Sequence, residues 1–429
     1  MKYKFKKIDA IIVAILIVAS ALFLYKAGYI EQPPPDKGDK EPPIIDNDTA
    51  IPELPTPPTS FIPSYRRDVS PEDEGVHYDR IRICREWWYY SAVFNGEDSE
   101  LQDWVVAISF NHMARGDLIG TTKPDLLVVS LFGPDGEQYG GMINKERGLG
   151  ILRTGTLIAS SPGVNVEFEN SWAEGEYPTW HVHAEDEDID EDHVIEIDLD
   201  YRAHSLPIWT IGNRAFDESK STIANYLFTG LEVTGTVVID GKEFFVNGTG
   251  HHEHSWTPNV VTRASINGWD WFHITLDNGW HLYSSNYYPT PQAISSSTSK
   301  INPFGTVLLT TDNGETIIEL KNVDLEITKE DEKIFPFVEM PSEFTMEAKP
   351  SLNPLHAISQ SFLYGTNMNL DIDIGIDNPY NHVWKFPTYL GMKVGMCSIN
   401  GTLSWSDDDG DHEIPLDGNG ISWSMRALL

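Results

Sequence analysis

From Val76 onward apolar and polar residues alternate in short runs separated by turn dipeptides, the period-two pattern of strands with two unlike faces. Strands are predicted over 86–94, 104–110, 126–132, 179–183, 194–201, 231–239 and 242–247, and again over 265–276, 279–287, 306–311, 316–320, 323–328, 344–348, 369–376 and 391–405. Asp135-Gly136, Asp240-Gly241, Asn278-Gly279, Asn313-Gly314 and Asn400-Gly401 are the turn signals between several of them. No sustained helical period and no short repeat interrupts the pattern. The expected fold class is therefore all-β, two antiparallel β barrels in tandem, over 75–258 and 259–429.

The first 74 residues read differently. Four lysines within 1–7 precede an apolar run over 10–25, which predicts a cytoplasmic basic head and a single membrane anchor in 1–30, with the remainder outside the cell membrane. A cleaved signal peptide, giving a secreted protein, is the alternative. Residues 31–74 are rich in Pro, Asp and Glu without apolar periodicity, which predicts a disordered stalk.

Charge narrows the partners. With 30 Lys plus Arg against 65 Asp plus Glu, the net charge of −35 argues against nucleic acid and anionic surfaces. Aromatic residues at 11%, including 13 Trp, suit a protein that encloses an apolar small molecule or lipid. The acidic runs 185–192 and 407–411 read as solvated loops, with calcium as the alternative. Cys84 and Cys397 could meet as one disulfide between the two units.

The densest chemistry lies in Gly248-Thr-Gly-His-His-Glu-His-Ser-Trp256 and Gly268-Trp-Asp-Trp-Phe-His273. The glycines permit close backbone approach. On a strand, His252, His254 and Trp256 share one face, and His251, Glu253 and Ser255 the other. The same parity places Asp270 with Phe272, Ile274 and Leu276, and a carboxyl among apolar groups is favoured in its neutral, proton-donating form. Trp269 and Trp271 beside it offer π faces to a cation.

These motifs, with the earlier Glu86-Trp-Trp-Tyr-Tyr90, resemble the hydroxyneurosporene synthase family, also called carotenoid 1,2-hydratases or AttH-like proteins, over about 76–429. Members carry an early Glu-Trp-Trp-Tyr run, a later Gly-x-Gly-Tyr-x-Asp-His-x-Trp-Gly run and then Trp-Asp-Trp. In this chain the Tyr, Asp and closing Gly of the second run are His251, Glu253 and Thr257. The resemblance implies two lipocalin-like barrels, an isoprenoid-like or lipid ligand, and hydration without metal or organic cofactor.

On these grounds Asp270, His254 and Glu253 are the expected catalytic residues. Glu86, Trp88, His252, Trp256, Trp269 and Trp271 are the expected ligand-binding residues. In the enzyme reading Asp270 protonates an alkene, Trp256, Trp269 and Trp271 steady the cation, and His254 with Glu253 handles water. A non-catalytic lipid carrier with the same cavity is the alternative. A metal-dependent hydrolase built on His252-x-His254, with His273, His281, His181 or His183 as third ligand, is a further one.

Overall fold

The computed structural model describes residues 68–81, 84–112, 125–147, 154–186, 192–211, 224–258, 266–290, 304–311, 316–330, 339–350, 368–385, 389–407 and 409–427. The expected anchor and most of the expected stalk lie outside these residues. Among the described residues no helix is long and apolar enough to cross a membrane.

One helical turn, α1 (Pro71–Glu74), precedes thirteen strands: β1 (Cys84–Val93), β2 (Val105–His112), β3 (Asp125–Phe132), β4 (Gln138–Arg147), β5 (Thr154–Gly155), β6 (Ile158–Ala159), β7 (Val164–Phe168), β8 (Ser171–Glu176), β9 (Thr179–Glu185), β10 (Ile195–Arg202), β11 (Ile208–Ile211), β12 (Ala224–Ile239) and β13 (Lys242–Pro258). The strands pair antiparallel around a ring in which β13 returns to β1, with β11 attached to β12 off the ring. The two free ends of the sheet, β5 and β6, follow one another in the chain, so the meander curls into a barrel.

The second half repeats the plan with β14 (Ile266–Leu276), β15 (His281–Pro289), β16 (Phe304–Thr311), β17 (Thr316–Leu320), β18 (Asn322–Glu330), β19 (Pro341–Lys349), β20 (Asn369–Lys385), β21 (Tyr389–Asp407), β22 (Gly410–Pro415) and β23 (Gly418–Ala427). Here β23 returns to β14, and the free ends are the consecutive strands β17 and β18.

The apolar residues fall into three groups. Trp88, Tyr90, Phe110, Trp180, Tyr201 and Trp256 fill the first barrel. Phe272, Leu309, Phe344, Met346 and Trp405 fill the second. A third group, drawn from both sheets and containing Tyr89, Trp271, Tyr283 and Trp423, lies where the barrels meet.

The all-β expectation agrees with this architecture, and the differences have local causes. The motif region and the preceding run form one long strand, β13, because Gly248 and Gly250 continue the ladder; a Cβ at Gly248 would stand 2.1 Å from the Val93 carbonyl oxygen. Asp240 and Gly241, with φ of 51° and 80°, make the expected hairpin turn. Asn400-Gly401 makes none. It runs inside β21, where a Cβ at Gly401 would meet the Asp371 carbonyl oxygen at 2.2 Å, so the glycine serves close strand approach. Asn313-Gly314 lies outside the described residues.

Residues 68–74, assigned by composition to the stalk, instead belong to the first barrel. Ser70 caps α1 in a reciprocal pair with Asp73, and Glu74 is fully buried. Cys84 and Cys397 are both free thiols, each buried within a different barrel core, so the possible disulfide does not form.

Candidate functional site

The geometry turns on β1 and the 250–256 stretch of β13, which are buried on both faces. Their register sets Glu86 opposite Trp256, Trp88 opposite His254 and Tyr90 opposite His252. These six side chains turn into the first barrel. Their neighbours Trp87, Tyr89, His251, Glu253 and Ser255 turn towards the second. A third doubly buried strand, β14, sends Trp271 and His273 to the junction and Asp270 and Phe272 into the second barrel. The expected site residues are thereby divided among three places.

Inside the first barrel, the segment that follows α1 crosses the interior and meets Glu86. The Glu86 carboxylate accepts from the backbone N–H groups of His77 and Tyr78, the latter at 2.7 Å. It also lies 3.0 Å from His77 Nδ1 and 2.9 Å from His254 Nε2. His77 stacks on Trp256 with ring centroids 3.6 Å apart, and Trp88 stacks on His254. Burial pushes Glu86 well above the usual carboxylate range, and holds His254 well below the ordinary imidazole value. His77 falls to about 3 for the same reason.

His252 belongs to this interior but not to this group. Its Nδ1 lies 3.0 Å from the Tyr89 carbonyl oxygen and its ring stacks on Tyr90. The His-x-His metal set expected from sequence is therefore not assembled around His252. Of the proposed third ligands, His181 and His183 pair with Asp200 and Asp198, and His273 and His281 lie buried on the junction face. His254 instead meets His77, which offered no signal beyond a lone histidine ahead of the first strand.

At the junction, Glu253 Oε1 accepts from Asn225 Nδ2 at 2.7 Å and from Trp87 Nε1 at 3.2 Å. Its other oxygen has no hydrogen-bond partner, and the nearest base is His273 Nε2 at 3.5 Å. Burial pushes the Glu253 carboxyl up to about 8 against the pull of those two donors, so at pH 7 it is mostly neutral. His251 and His273, in edge-to-face contact at 3.7 Å, are kept well below the ordinary imidazole value by burial, helped at His251 by His281 and His252 and at His273 by His251. Trp271 packs against His273 at 4.3 Å and Tyr89 at 4.7 Å. Met142, Met392, Met396 and Met425 complete the surround, and half-buried Trp87, Trp269 and Tyr380 form its rim. An acid in neutral form, a neutral base and aromatic faces are thus buried together at the junction.

Asp270 does turn towards Phe272, Ile274 and Leu276, but it is not an isolated carboxyl among them. Arg426, on the paired strand β23, donates to it at 2.8 Å, and Tyr288 OH donates as well. The guanidinium also bonds the Trp269 carbonyl oxygen and lies over the Tyr288 ring. Trp269 and Trp271 lie on the opposite strand face from Asp270, as period two requires, so their rings do not flank its carboxyl.

An open hollow of about 660 Å³ on the first unit is lined by Glu174, His181, Asp200, Arg202 and Glu232 and contains none of the expected catalytic or ligand-binding residues.

A family model described as AttH-like matches residues 144–347. No curated protein matches the chain. Among solved structures, an AttH from Nitrosomonas europaea is 14% identical with a TM-score of 0.51, the match covering 86% of this chain and 98% of that one. Kievitone hydratase from Nectria haematococca is 11% identical with a TM-score of 0.50, again over 86% of this chain and 98% of that one. At these identities the likeness is one of fold. The chain is thus similar to AttH-like proteins over 144–347, from the first barrel into the second, and shares its overall fold with these two structures; neither comparison carries the finer resemblance to hydroxyneurosporene synthases.

Proposed function

We propose that the protein binds an apolar, isoprenoid-like or lipid ligand at the junction of its two barrels, and that Glu253 donates a proton to it there. The observation that carries this reading is the neutral Glu253 carboxyl, with one oxygen fixed by Asn225 and Trp87 and the other unpartnered beside His273. The surround is apolar and adaptable, because methionines re-pack more readily than branched side chains. A ligand would enter by displacing them.

Hydration of an isolated double bond balances within this group. The Glu253 proton goes to one alkene carbon, and the cation left on the other is steadied by the faces of Trp271 and Tyr89. Water adds to that carbon, and its spare proton returns to Glu253 through His273. No cofactor enters the scheme. In this reading Glu86, Trp88, His252, His254 and Trp256 organise the first barrel, and Asp270 with Arg426 organises the second. That one protein of the same fold is named a hydratase agrees with the scheme.

The test begins with natively purified protein, whose extracted lipid is identified by mass spectrometry and returned to the parent and to Glu253→Gln. Conversion to a product heavier by one water in the parent, with binding but no conversion in the variant, is expected. Saturable binding with unchanged ligand in both would make the protein a carrier.

A further inference from the structure

Outside the junction, one buried group of metal-ligating side chains has no part in the proton transfer. His77, Glu86 and His254 come from three separate segments: the link after α1, β1 and β13. Their ligand atoms all lie within 4.8 Å of one another, and all three residues are buried. We propose that these three side chains hold a divalent transition-metal ion, zinc by the character of the donors, which fastens residues 68–78 into the first barrel.

Two imidazole nitrogens and one carboxylate oxygen form a donor set that zinc favours. Donors about 2.1 Å from a tetrahedral zinc stand about 3.4 Å apart. His77 Nδ1 and His254 Nε2 stand 3.0 and 2.9 Å from Glu86 Oε1, so an opening of about half an ångström would admit the ion. The surroundings orient the ligands as an outer layer around a metal does. His254 Nδ1 lies 3.2 Å from Tyr226 OH, Glu86 Oε2 is held by the N–H groups of His77 and Tyr78, and the two rings are clamped against Trp256 and Trp88.

The rival occupant is a proton shared between Glu86 and an imidazole, and it predicts a different experiment. Because the group is closed to solvent, its work is fastening and not turnover: His77 is the last buried residue of the segment that carries α1.

The full chain, purified with a histidine-free tag and without chelator, is analysed for metal, then stripped and reloaded with zinc or cobalt(II). One equivalent per chain is expected, with a visible cobalt absorption in the reloaded parent that His77→Gln does not show. Stripping should lower the melting temperature by several degrees and open residues 68–78 to protease. His77→Gln should lose the metal, whereas His252→Gln, on the same barrel face but bonded to a carbonyl, should keep it. A folded parent that takes up no metal overturns the proposal. So does metal that His77→Gln retains, or whose removal leaves melting and proteolysis unchanged. If Glu86→Gln fails to fold, stripping and reloading the parent still decides.

Discussion

The neutral acid at the junction can be tested without knowing the ligand. Folded, Glu253 keeps its proton up to about pH 8; unfolded, it releases it near 4.5. Between those values folding takes up a proton, so stability falls as pH rises, by about 1.4 kcal/mol per pH unit and on the order of 5 kcal/mol over the full window. Below pH 4.5 the contribution is complete, and above about 8 it is gone. Glutamine copies the neutral form: its carbonyl oxygen can accept from Trp87 and Asn225, and its amide faces His273. Glu253→Gln should therefore match the parent at pH 5 and exceed it increasingly towards pH 8. Urea unfolding followed by tryptophan fluorescence at pH 5, 6, 7 and 8 measures the gap. The buried Glu74, raised to about 7, titrates in both proteins and cancels in the difference. Growth of the gap by at least ~2 kcal/mol from pH 5 to 8 is expected. A gap constant to within ~0.5 kcal/mol would refute the neutral carboxyl, and with it the proposed proton donor.

Other substitutions test other parts. Asp270→Ala strands Arg426 and should cost about 3–5 kcal/mol of second-barrel stability by denaturant unfolding; a loss under about 1 kcal/mol would show that the pair is dispensable. Trp271→Ala, in the middle of the junction, should cost about 3–5 kcal/mol and weaken ligand retention, read from the yield of extracted lipid. Gly248→Ala drives a methyl against the Val93 carbonyl and should lower stability by about 1–3 kcal/mol; an unchanged melting temperature would contradict the close approach. The expected anchor in 1–30 has its own test: protease added to intact cells should shed a soluble β fragment. Full-length protein found wholly in the cytosol would end that idea.

Period two was the most legible feature of the sequence. It separated His252, His254 and Trp256 from His251 and Glu253 correctly, and it put Asp270 on the face of Phe272. It could not say that both faces of β13 over 250–256 would be buried, since strand parity carries no information about what covers either side. Arg426 and Asp270 meet only through the pairing of β14 with β23, a contact 156 positions long that no local pattern announces. His77 reaches Glu86 by a loop, where no periodicity exists to read. Strands β4 to β8, β11 and β22 escaped; β5 and β6 hold only two residues each, too few for any alternation to show.

Each barrel is closed by its own first and last strand, and this sets a schedule for synthesis. Tyr89 must wait for His252, 163 positions later, and Trp269 for Arg426, 157 positions later. At about 5–20 residues per second, β1 spends roughly 10–30 s with one hydrogen-bonding edge unfilled after it leaves the ribosome. The second barrel then repeats the delay. Open strand edges of this kind recruit any available strand. Until closure, pairing of β1 with β13 of a neighbouring nascent chain competes with pairing within one chain.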